Sequence, residues 1–263
     1  MCRWIAYRGR PVFLEDIVST PEHSLVHQSL HAREAKTETN GDGFGLGWYG
    51  ERTEPGLYRE ILPAWSDDNL KSIARHVKAS LFFAHVRAST GTATSRTNCH
   101  PFAHGDWMFM HNGQIGGYAR LRRAIEALIP DDLYGARLGT TDSEALFLMA
   151  LAGGADQCPV AGMARTLADV RRMMISAGVS EPLRFAAALT NGRDLYAFRY
   201  SSDERAPTVY LRDGGEDLVV VSEPIDGEAG RWRPVPAGHA LVALAGAAPR
   251  LVPFAVEPAA LAA

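Results

Sequence analysis

The 263-residue chain has few cysteines and no long apolar run. Its three cysteines are Cys2, Cys99 and Cys158. This number is too small, and odd, for a disulfide framework, so we expect a reducing, cytoplasmic setting in which a thiol stays free. The longest apolar stretch, residues 145–155, is shorter than the roughly 18 residues of a bilayer span, and the start lacks the apolar core of a secretory signal. The sequence therefore predicts no membrane segment.

Excess charge is also absent. Lys and Arg number 27 and Asp and Glu 30, for a formal net charge of −3. This balance predicts neither a nucleic-acid partner nor an anionic membrane surface. There is no phosphate-binding P-loop, no glycine-rich dinucleotide turn and no internal repeat or linker, so we expect a single domain over residues 2–263.

The order of predicted elements indicates the fold class. A strand over residues 2–7 and a helix over 24–34 come first. Strands near residues 43–49, 80–89 and 106–113 follow, and helices are predicted at 66–77, 118–129, 141–152 and 159–177. Five strands complete the chain after residue 184. Strands first, helices in the middle and strands again favour an α+β fold with two sheets packed together and helical layers outside. The alternation of glycine with bulky residues from Gly43 to Tyr49 predicts one strand face without room for side chains.

Cys2 stands directly behind the initiator methionine. Removal of Met1 would place a free α-amine on the cysteine itself, and an α-amine with a pKa near 8 can act as base for the thiol. The alternative is a buried structural cysteine at the start of a strand, which is the commoner situation when a cysteine is considered alone.

Three further stretches carry groups that suit an amide substrate. Arg87, in an otherwise apolar strand, suits either a substrate carboxylate or an internal ion pair. Asn112 and Gly113 supply two neutral donors, as an oxyanion hole requires, although Asn-Gly is also a common turn dipeptide. Asp142 is not needed by the predicted cap of Thr141 and Glu144. Its carboxylate can bind an ammonium group or simply complement the helix dipole.

Taken together and in this order, Cys2, AHVRAST (84–90), NCHPF (98–102), HNG (111–113) and TDSE (141–144) resemble the class II (N-terminal cysteine) glutamine amidotransferases of the N-terminal-nucleophile hydrolase superfamily. The motifs lie within residues 2–150, and residues 151–263 fit the completion of the same domain. The stretch NGDGFGLGWY (40–49) is similar to a stand-alone branch that includes the γ-glutamyl hydrolase of ergothioneine synthesis and the amidotransferase-like subunit of a glutathione-degrading complex.

The resemblance implies a four-layer αββα sandwich of two antiparallel sheets and a role for each matching residue. Cys2 would be the nucleophile. Arg87 would hold the α-carboxylate and Asp142 the α-ammonium of a glutamyl group. The oxyanion hole would comprise Asn112 and Gly113, and further hydrogen bonds would come from Ser89 and Thr90. It implies no cofactor and no metal.

The resemblance also bears on the reaction. No ammonia-consuming second domain is recognisable in the sequence, so we favour plain hydrolysis of a small γ-glutamyl amide, with release of glutamate and an amine or ammonia. The alternative is an amidotransferase subunit that delivers ammonia to a separate partner enzyme.

Other readings from other classes of protein stay open. His23, His27 and His31 have the spacing of one helix face, as metal ligands of a metallohydrolase can have, but no HExxH or CxxC accompanies them. A Cys99–His100 pair is disfavoured because adjacent residues in a strand point to opposite faces. A non-catalytic module that binds γ-glutamyl ligands would not need a thiol at the terminus.

Overall fold

The computed structural model describes residues 2–34, 38–89, 91–228 and 230–257. Its strands, in chain order, are β1 (Arg3–Phe13), β2 (Phe44–Trp48), β3 (Gly56–Glu60), β4 (Lys78–Val86), β5 (Phe102–His104), β6 (Trp107–Gln114), β7 (Arg184–Thr190), β8 (Leu195–Ser201), β9 (Tyr210–Asp213), β10 (Leu218–Val221), β11 (Arg233–Pro234), β12 (His239–Ala243) and β13 (Arg250–Pro253). The helices are α1 (Glu15–Val18), α2 (Leu25–Leu30), α3 (Asp68–His76), α4 (Tyr118–Glu126), α5 (Asp131–Tyr134), α6 (Asp142–Ala150) and α7 (Pro159–Ser176).

The strands form two sheets, and every pairing among the described strands is antiparallel. Sheet A has the order β11-β9-β10-β1-β4-β2-β3, and sheet B the order β13-β12-β8-β7-β6-β5. β1, which begins just after Cys2, therefore lies in the interior of sheet A between β10 and β4. Because a central strand is held on both edges, its first residues have a fixed position.

Three apolar cores separate four layers. The outer face of sheet A packs against α1, α2 and α3, and the outer face of sheet B packs against α4, α6 and α7. The third core lies between the sheets, where alternate residues of facing strands meet, as the period of two in a strand requires. This αββα sandwich of two antiparallel sheets confirms the predicted fold class.

Strand β2 shows why its sequence alternates with glycine. A Cβ at position 45 would lie 2.1 Å from the backbone oxygen of His100, and one at position 47 would lie 2.2 Å from the sulfur of Met108. The segment around residues 100–108 thus packs against the backbone of β2. The prediction of a strand face without room for side chains is confirmed.

Some predicted boundaries were wrong. Helix α2 ends at Leu30 rather than residue 34, because His31 leaves the helical region with φ −135° and ψ 71°. Helix α4 ends at Glu126, three residues before its predicted end. The short strands β3, β5, β11 and β13 and the short helices α1 and α5 had not been predicted. Within the described residues, no helix is long and apolar enough to cross a membrane.

Candidate active site

Cys2 lies beside the chain that follows strand β4. Its register in sheet A places Arg3 opposite Val86, so that Cys2 falls next to Arg87 and Ala88. The Sγ atom is 3.6 Å from the carbonyl oxygen of Ala88 and 3.5 Å from its backbone nitrogen, which donates to the sulfur. The thiol is therefore anchored by the first residues beyond the strand that carries Arg87.

Burial raises the pKa of the Cys2 thiol above its ordinary value. The hydrogen bond from Ala88 and the charge of Arg87 act in the opposite direction but do not outweigh burial. Since the thiolate is the reactive form, a thiol with a raised pKa requires a base to react at neutral pH. Met1, whose removal would supply that base as the α-amine of Cys2, lies outside the described residues.

Cys2 lies on the inner face of sheet A, and Asn112 lies on the inner face of sheet B. The inter-sheet core contains alternate residues of β1 and β6: Trp4, Ala6, Met108 and Met110. By the period of two, Cys2 continues the inner face of β1 and Asn112 continues the inner face of β6. Both side chains therefore point into the inter-sheet layer.

The two residues also lie at the same end of that layer. Arg8, six residues beyond Cys2, donates from Nη2 to the carbonyl oxygen of Leu244 at 2.8 Å. Leu244 directly follows β12, whose last residue pairs with Leu195 of β8. Leu195 pairs with Thr190 of β7, which pairs with Met108 near the start of β6, so these residues all lie at one end of sheet B. The start of β1, with Cys2, therefore faces the end of β6, with Asn112.

Asn112 presents a free donor. The residue is 1% exposed, and its side-chain nitrogen Nδ2 has no hydrogen-bond partner among the described residues. An unpaired buried donor costs about 1–3 kcal/mol, and Nδ2 is thus available to an oxygen of a bound ligand. Gly113 has a packing reason to be glycine, because a Cβ there would lie 1.9 Å from the backbone oxygen of Arg184.

Arg87 is 3% exposed, yet among the described residues no carboxylate lies within ion-pair distance of its guanidinium. Its hydrogen bonds go to neutral oxygens, including the carbonyl oxygen of Asp42 at 3.2 Å and the Thr92 hydroxyl at 2.6 Å. The charge of the guanidinium is therefore not compensated by an anion in this part of the protein, and a ligand carboxylate could compensate it. The internal ion pair that the sequence left open is not present in this part of the chain.

Ser89 organises the loop around Arg87. Its backbone nitrogen donates to the Asp42 carboxylate at 2.7 Å, and its hydroxyl accepts from Arg87 at 3.1 Å and donates to the Thr92 carbonyl oxygen at 2.7 Å. Its hydroxyl is thus engaged within the protein. Thr90, predicted beside it, lies outside the described residues.

Asp142 is the first residue of α6 and reaches the end of β6. Its Oδ2 accepts from the backbone nitrogen of Ile115 at 2.9 Å, and its Oδ1 accepts from the Ser143 hydroxyl at 3.3 Å. It therefore lies close in space to the end of the strand that carries Asn112 and Gly113. The neighbouring cap has a different form from the one predicted. Thr141 Oγ1 accepts from the Glu144 nitrogen at 3.2 Å, but the Glu144 carboxylate binds Arg137 and the backbone nitrogen of Gly139.

A buried charge network behind Cys2 had not been predicted. Arg3 is fully buried on the opposite face of β1, and its Nε lies 2.9 Å from Oε2 of Glu223. The other carboxylate oxygen of Glu223 lies 2.5 Å from His23 Nε2. Two backbone nitrogens, those of Arg33 and Glu34, also donate to Glu223, each at 2.9 Å. An arginine inside an apolar strand was the available signal, but its partner is 220 residues away along the chain.

Two buried histidines form a second unpredicted feature. The rings of His85 and His100 stack with centroids 4.1 Å apart, and none of their ring nitrogens has a hydrogen-bond partner in the part of the chain that the structure describes. Burial lowers the pKa of His85 to about 3 and that of His100 well below its ordinary value, so both rings are neutral. The stack holds strand β4 against the segment that follows Cys99, and Thr92 and Ala93, which lie between the two histidines in the sequence, contact Arg87.

The histidines considered as metal ligands have other partners. His23 is bound to Glu223, and His31 Nδ1 lies 2.8 Å from Glu38 Oε1. His23 precedes α2 and His31 follows it, so only His27 lies within the helix. Over residues 2–34, 38–89, 91–228 and 230–257, no group of three or more ligating side chains is placed to hold a metal ion.

Cys99 does not pair with His100. Its thiol contacts the carbonyl oxygens of Glu60 and Ser95, at 3.4 and 3.5 Å, and burial raises its pKa to about 11. The thiol is therefore protonated at neutral pH.

Comparison with known proteins places this site in context. The family profile of the class-II glutamine amidotransferases matches residues 19–214. The chain is 33% identical to the probable glutamine amidotransferase DUG3 of Saccharomyces cerevisiae, over 92% of this chain and 81% of the yeast protein. It is 28% identical to the gamma-glutamyl-hercynylcysteine sulfoxide hydrolase of Mycolicibacterium smegmatis, over 91% of this chain and 94% of that one. A solved structure, the glutamine aminotransferase class-II domain protein of Silicibacter pomeroyi, matches with a TM-score of 0.78 at 39% identity, over 97% of this chain and all of its own.

Proposed function

The chain belongs to the class II glutamine amidotransferases, an amidohydrolase family, and on this premise we propose that it hydrolyses a γ-glutamyl amide through a thioester on Cys2. Two features support the proposal: the strand registers put Cys2 and Asn112 on facing sheets at the same end of the inter-sheet layer, and Asn112 Nδ2 has no hydrogen-bond partner among the described residues. A nucleophile facing a free neutral donor is the minimal arrangement for attack on a carbonyl group.

The proposed reaction begins with the thiol. After removal of Met1, the α-amine of Cys2 takes the thiol proton, and the thiolate attacks the γ-carbonyl carbon. Asn112 Nδ2 and the Gly113 backbone N–H stabilise the tetrahedral oxyanion. The amine leaves with the proton held by the α-ammonium, and water then attacks the thioester to release glutamate and regenerate the thiol.

Two charged residues hold the glutamyl group in this proposal. Arg87 binds the α-carboxylate, because its guanidinium is buried without a carboxylate partner in the described chain. Asp142 binds the α-ammonium, since its carboxylate lies at the end of the strand that carries Asn112. Ser89 supports the carboxylate end of the site through its hydrogen bond with Arg87, and the family resemblance assigns Thr90 a further hydrogen bond to the ligand.

Hydrolysis without an acceptor is the favoured outcome. The Mycolicibacterium relative, which this chain matches over nearly its whole length, is named as a hydrolase of a γ-glutamyl compound. We therefore propose a small γ-glutamyl amide as substrate. Delivery of ammonia to a partner enzyme is the second candidate, because the yeast relative is named as a probable glutamine amidotransferase.

The test is glutamate release from a panel of γ-glutamyl compounds: glutamine, glutathione, γ-glutamyl-cysteine derivatives and γ-glutamyl amines. Wild type, Cys2→Ala and Cys158→Ala are assayed together, after intact mass has shown that Met1 is absent. Cys158 is an exposed free cysteine and serves as the matched control. Release that is lost in Cys2→Ala and kept in Cys158→Ala supports the proposal. Release that survives in Cys2→Ala would contradict the thioester, and silence from every compound would favour the partner-dependent reaction.

A further inference from the structure

Asn98 is a buried amide that the mechanism above does not use. It ends a 3₁₀ turn, Arg96–Asn98, and is 1% exposed. Its side chain bridges two loops that are more than 40 residues apart in the sequence. Nδ2 donates to the carbonyl oxygen of Ala93 at 2.8 Å, and Oδ1 accepts from the backbone nitrogen of Thr140 at 2.7 Å.

One end of this bridge reaches Arg87. The carbonyl oxygen of Ala93 accepts from Asn98 Nδ2 and also from Arg87 Nη2, at 3.3 Å. The same guanidinium nitrogen donates to the Thr92 hydroxyl. A single loop segment, residues 92–93, therefore fixes the guanidinium and is itself fixed by Asn98.

The other end reaches Asp142. Thr140 lies two residues before it, and Thr140 Oγ1 accepts a second bond from Asn98 Nδ2 at 3.0 Å. The loop approaches so closely that a Cβ at Gly139 would lie 2.6 Å from Asn98 Oδ1. The position of the first turn of α6, and with it the Asp142 carboxylate, is thus tied to the Asn98 amide.

We propose that Asn98 is a positioning residue that sets the separation between Arg87 and Asp142. This makes the site selective for ligands that carry an α-carboxylate and an α-ammonium on the same carbon. The inference rests on the proposed function, because it takes Arg87 and Asp142 as the two charged contacts of a glutamyl group. Asn98 itself does not touch the ligand.

A ligand bound at two points gains affinity only when both contacts form at once. If the two contacts lose their spacing, a doubly charged ligand loses that gain, whereas a ligand that uses one contact loses little. An error of about 1 Å in such a geometry can cost about a hundredfold. Loss of the Asn98 bridge should therefore reduce discrimination between ligands more than it reduces the binding of any singly held ligand.

The experiment measures protection of Cys2 from carbamidomethylation by iodoacetamide, followed by mass spectrometry of the peptide that contains Cys2, because Cys158 is also a free, exposed cysteine. The probes are L-glutamate, glutarate, which lacks the ammonium, and 4-aminobutanoate, which lacks the α-carboxylate. In wild type, L-glutamate should protect at the lowest concentration. In Asn98→Ala, its half-protecting concentration should rise by about tenfold or more, and those of the other two probes by less than about threefold.

Two further variants keep the test independent of folding. Thr140→Val removes the hydroxyl contact and keeps the backbone bond to Asn98 Oδ1, so a smaller change in the same direction is expected. Asn191→Ala is the control, because Asn191 Oδ1 ties a turn through the nitrogens of Arg193 and Asp194 at the opposite end of the sandwich. It should leave the discrimination between probes unchanged.

The outcomes separate the inference from the function on which it rests. An equal loss for all three probes, or no loss, in Asn98→Ala would overturn the positioning role while leaving the glutamyl site intact. Failure of L-glutamate to protect wild-type Cys2 at any concentration would overturn the glutamyl site, and the positioning role with it.

Discussion

Replacing Glu223 with glutamine would test the charge network behind Cys2. Glutamine has nearly the same size but no charge. Glu223 is 2% exposed and faces Arg3, His23 and the backbone nitrogens of Arg33 and Glu34. The glutamine side chain keeps one oxygen that can accept a hydrogen bond. Its NH₂ group replaces the other oxygen, so it faces N–H donors of the surrounding residues and can accept no hydrogen bond from them. The Arg3 cation, which stays protonated even when buried, loses its counter-charge.

The structure sets the size of the expected effect. Removing one partner of a buried ion pair costs about 3–5 kcal/mol, because the other charge stays buried. Since glutamine retains one acceptor, we expect the lower end, about 3 kcal/mol. For a chain of this size each kcal/mol shifts the thermal midpoint by about 2–4 °C, so the midpoint should fall by roughly 6–12 °C.

The assay is thermal unfolding of wild type, Glu223→Gln and Glu216→Gln, followed by circular dichroism. Glu216 is paired with Arg10 in an ion pair whose side chains are 76% and 66% exposed, and exposed pairs contribute little. The control should therefore melt with wild type. A Glu223→Gln midpoint within about 2 °C of wild type would refute the reasoning, because a desolvated Arg3 without its counter-ion must cost more than that.

The difference in stability between wild type and Glu223→Gln should also depend on pH. Burial opposes the change, but the hydrogen bonds from His23, Arg33 and Glu34 and the charge of Arg3 together lower the pKa of Glu223 below its ordinary value. A carboxyl with a lowered folded-state pKa contributes stability that is present above its unfolded pKa and is lost as the pH falls through the folded one. The gap between wild type and Glu223→Gln should therefore narrow below about pH 4.

Three other predictions concern neighbouring features. Asn112→Ala should lower turnover about 10²–10³-fold while changing the thermal midpoint by only a few degrees, and near-full activity in steady-state assays would contradict its role. Gly45→Ala should destabilise by at least about 1–3 kcal/mol in denaturant titrations, because the obstacle is the backbone oxygen of His100, whereas Gly50→Ala, with no atom within 4 Å of the added Cβ, should not. Burial lowers the pKa of His85 to about 3, so at mildly acidic pH this histidine is protonated in the unfolded chain but neutral in the folded one. The free energy of unfolding should therefore fall as the pH drops from about 6.5 to about 5, by up to about 1.4 kcal/mol per pH unit for this residue. His85→Phe should show a shallower slope, and parallel slopes would contradict the assignment.

Local patterns predicted the parts of the fold that local physics decides. Alternating glycine predicted the close approach at β2, because only the absence of a Cβ permits it. Thr141 was recognised as a helix cap, since a hydroxyl at that position can accept from the nitrogen three residues on. The partners of the Glu144 carboxylate could not be predicted in this way. This carboxylate binds Arg137 and the loop before the helix, and such a tertiary contact leaves no mark in the spacing of a cap.

Long-range pairing could not be predicted from periodicity. The charge of Arg3 in an apolar strand demanded a partner, but Glu223 reaches it only because β10 pairs with β1. The sequence indicates Gly113 because a glycine leaves its backbone N–H accessible. The structure shows a packing reason for glycine at the same position, since strand β7 approaches its backbone closely. The sequence indicates which residues are unusual, and the sheet register decides what each of them meets.

The candidate site combines residues from both sheets. Cys2 lies on sheet A and Asn112 on sheet B, and they face each other because Trp4 and Met110 pack in the layer between the sheets. Each residue has a bland explanation when taken alone, a structural cysteine and a turn asparagine. The Nδ2 atom of Asn112, in a side chain that is 1% exposed, has no partner among the described residues, and such a donor costs the fold about 1–3 kcal/mol. We therefore propose that this donor, on the sheet opposite the Cys2 thiol, is retained because it stabilises an oxygen of the substrate during the reaction.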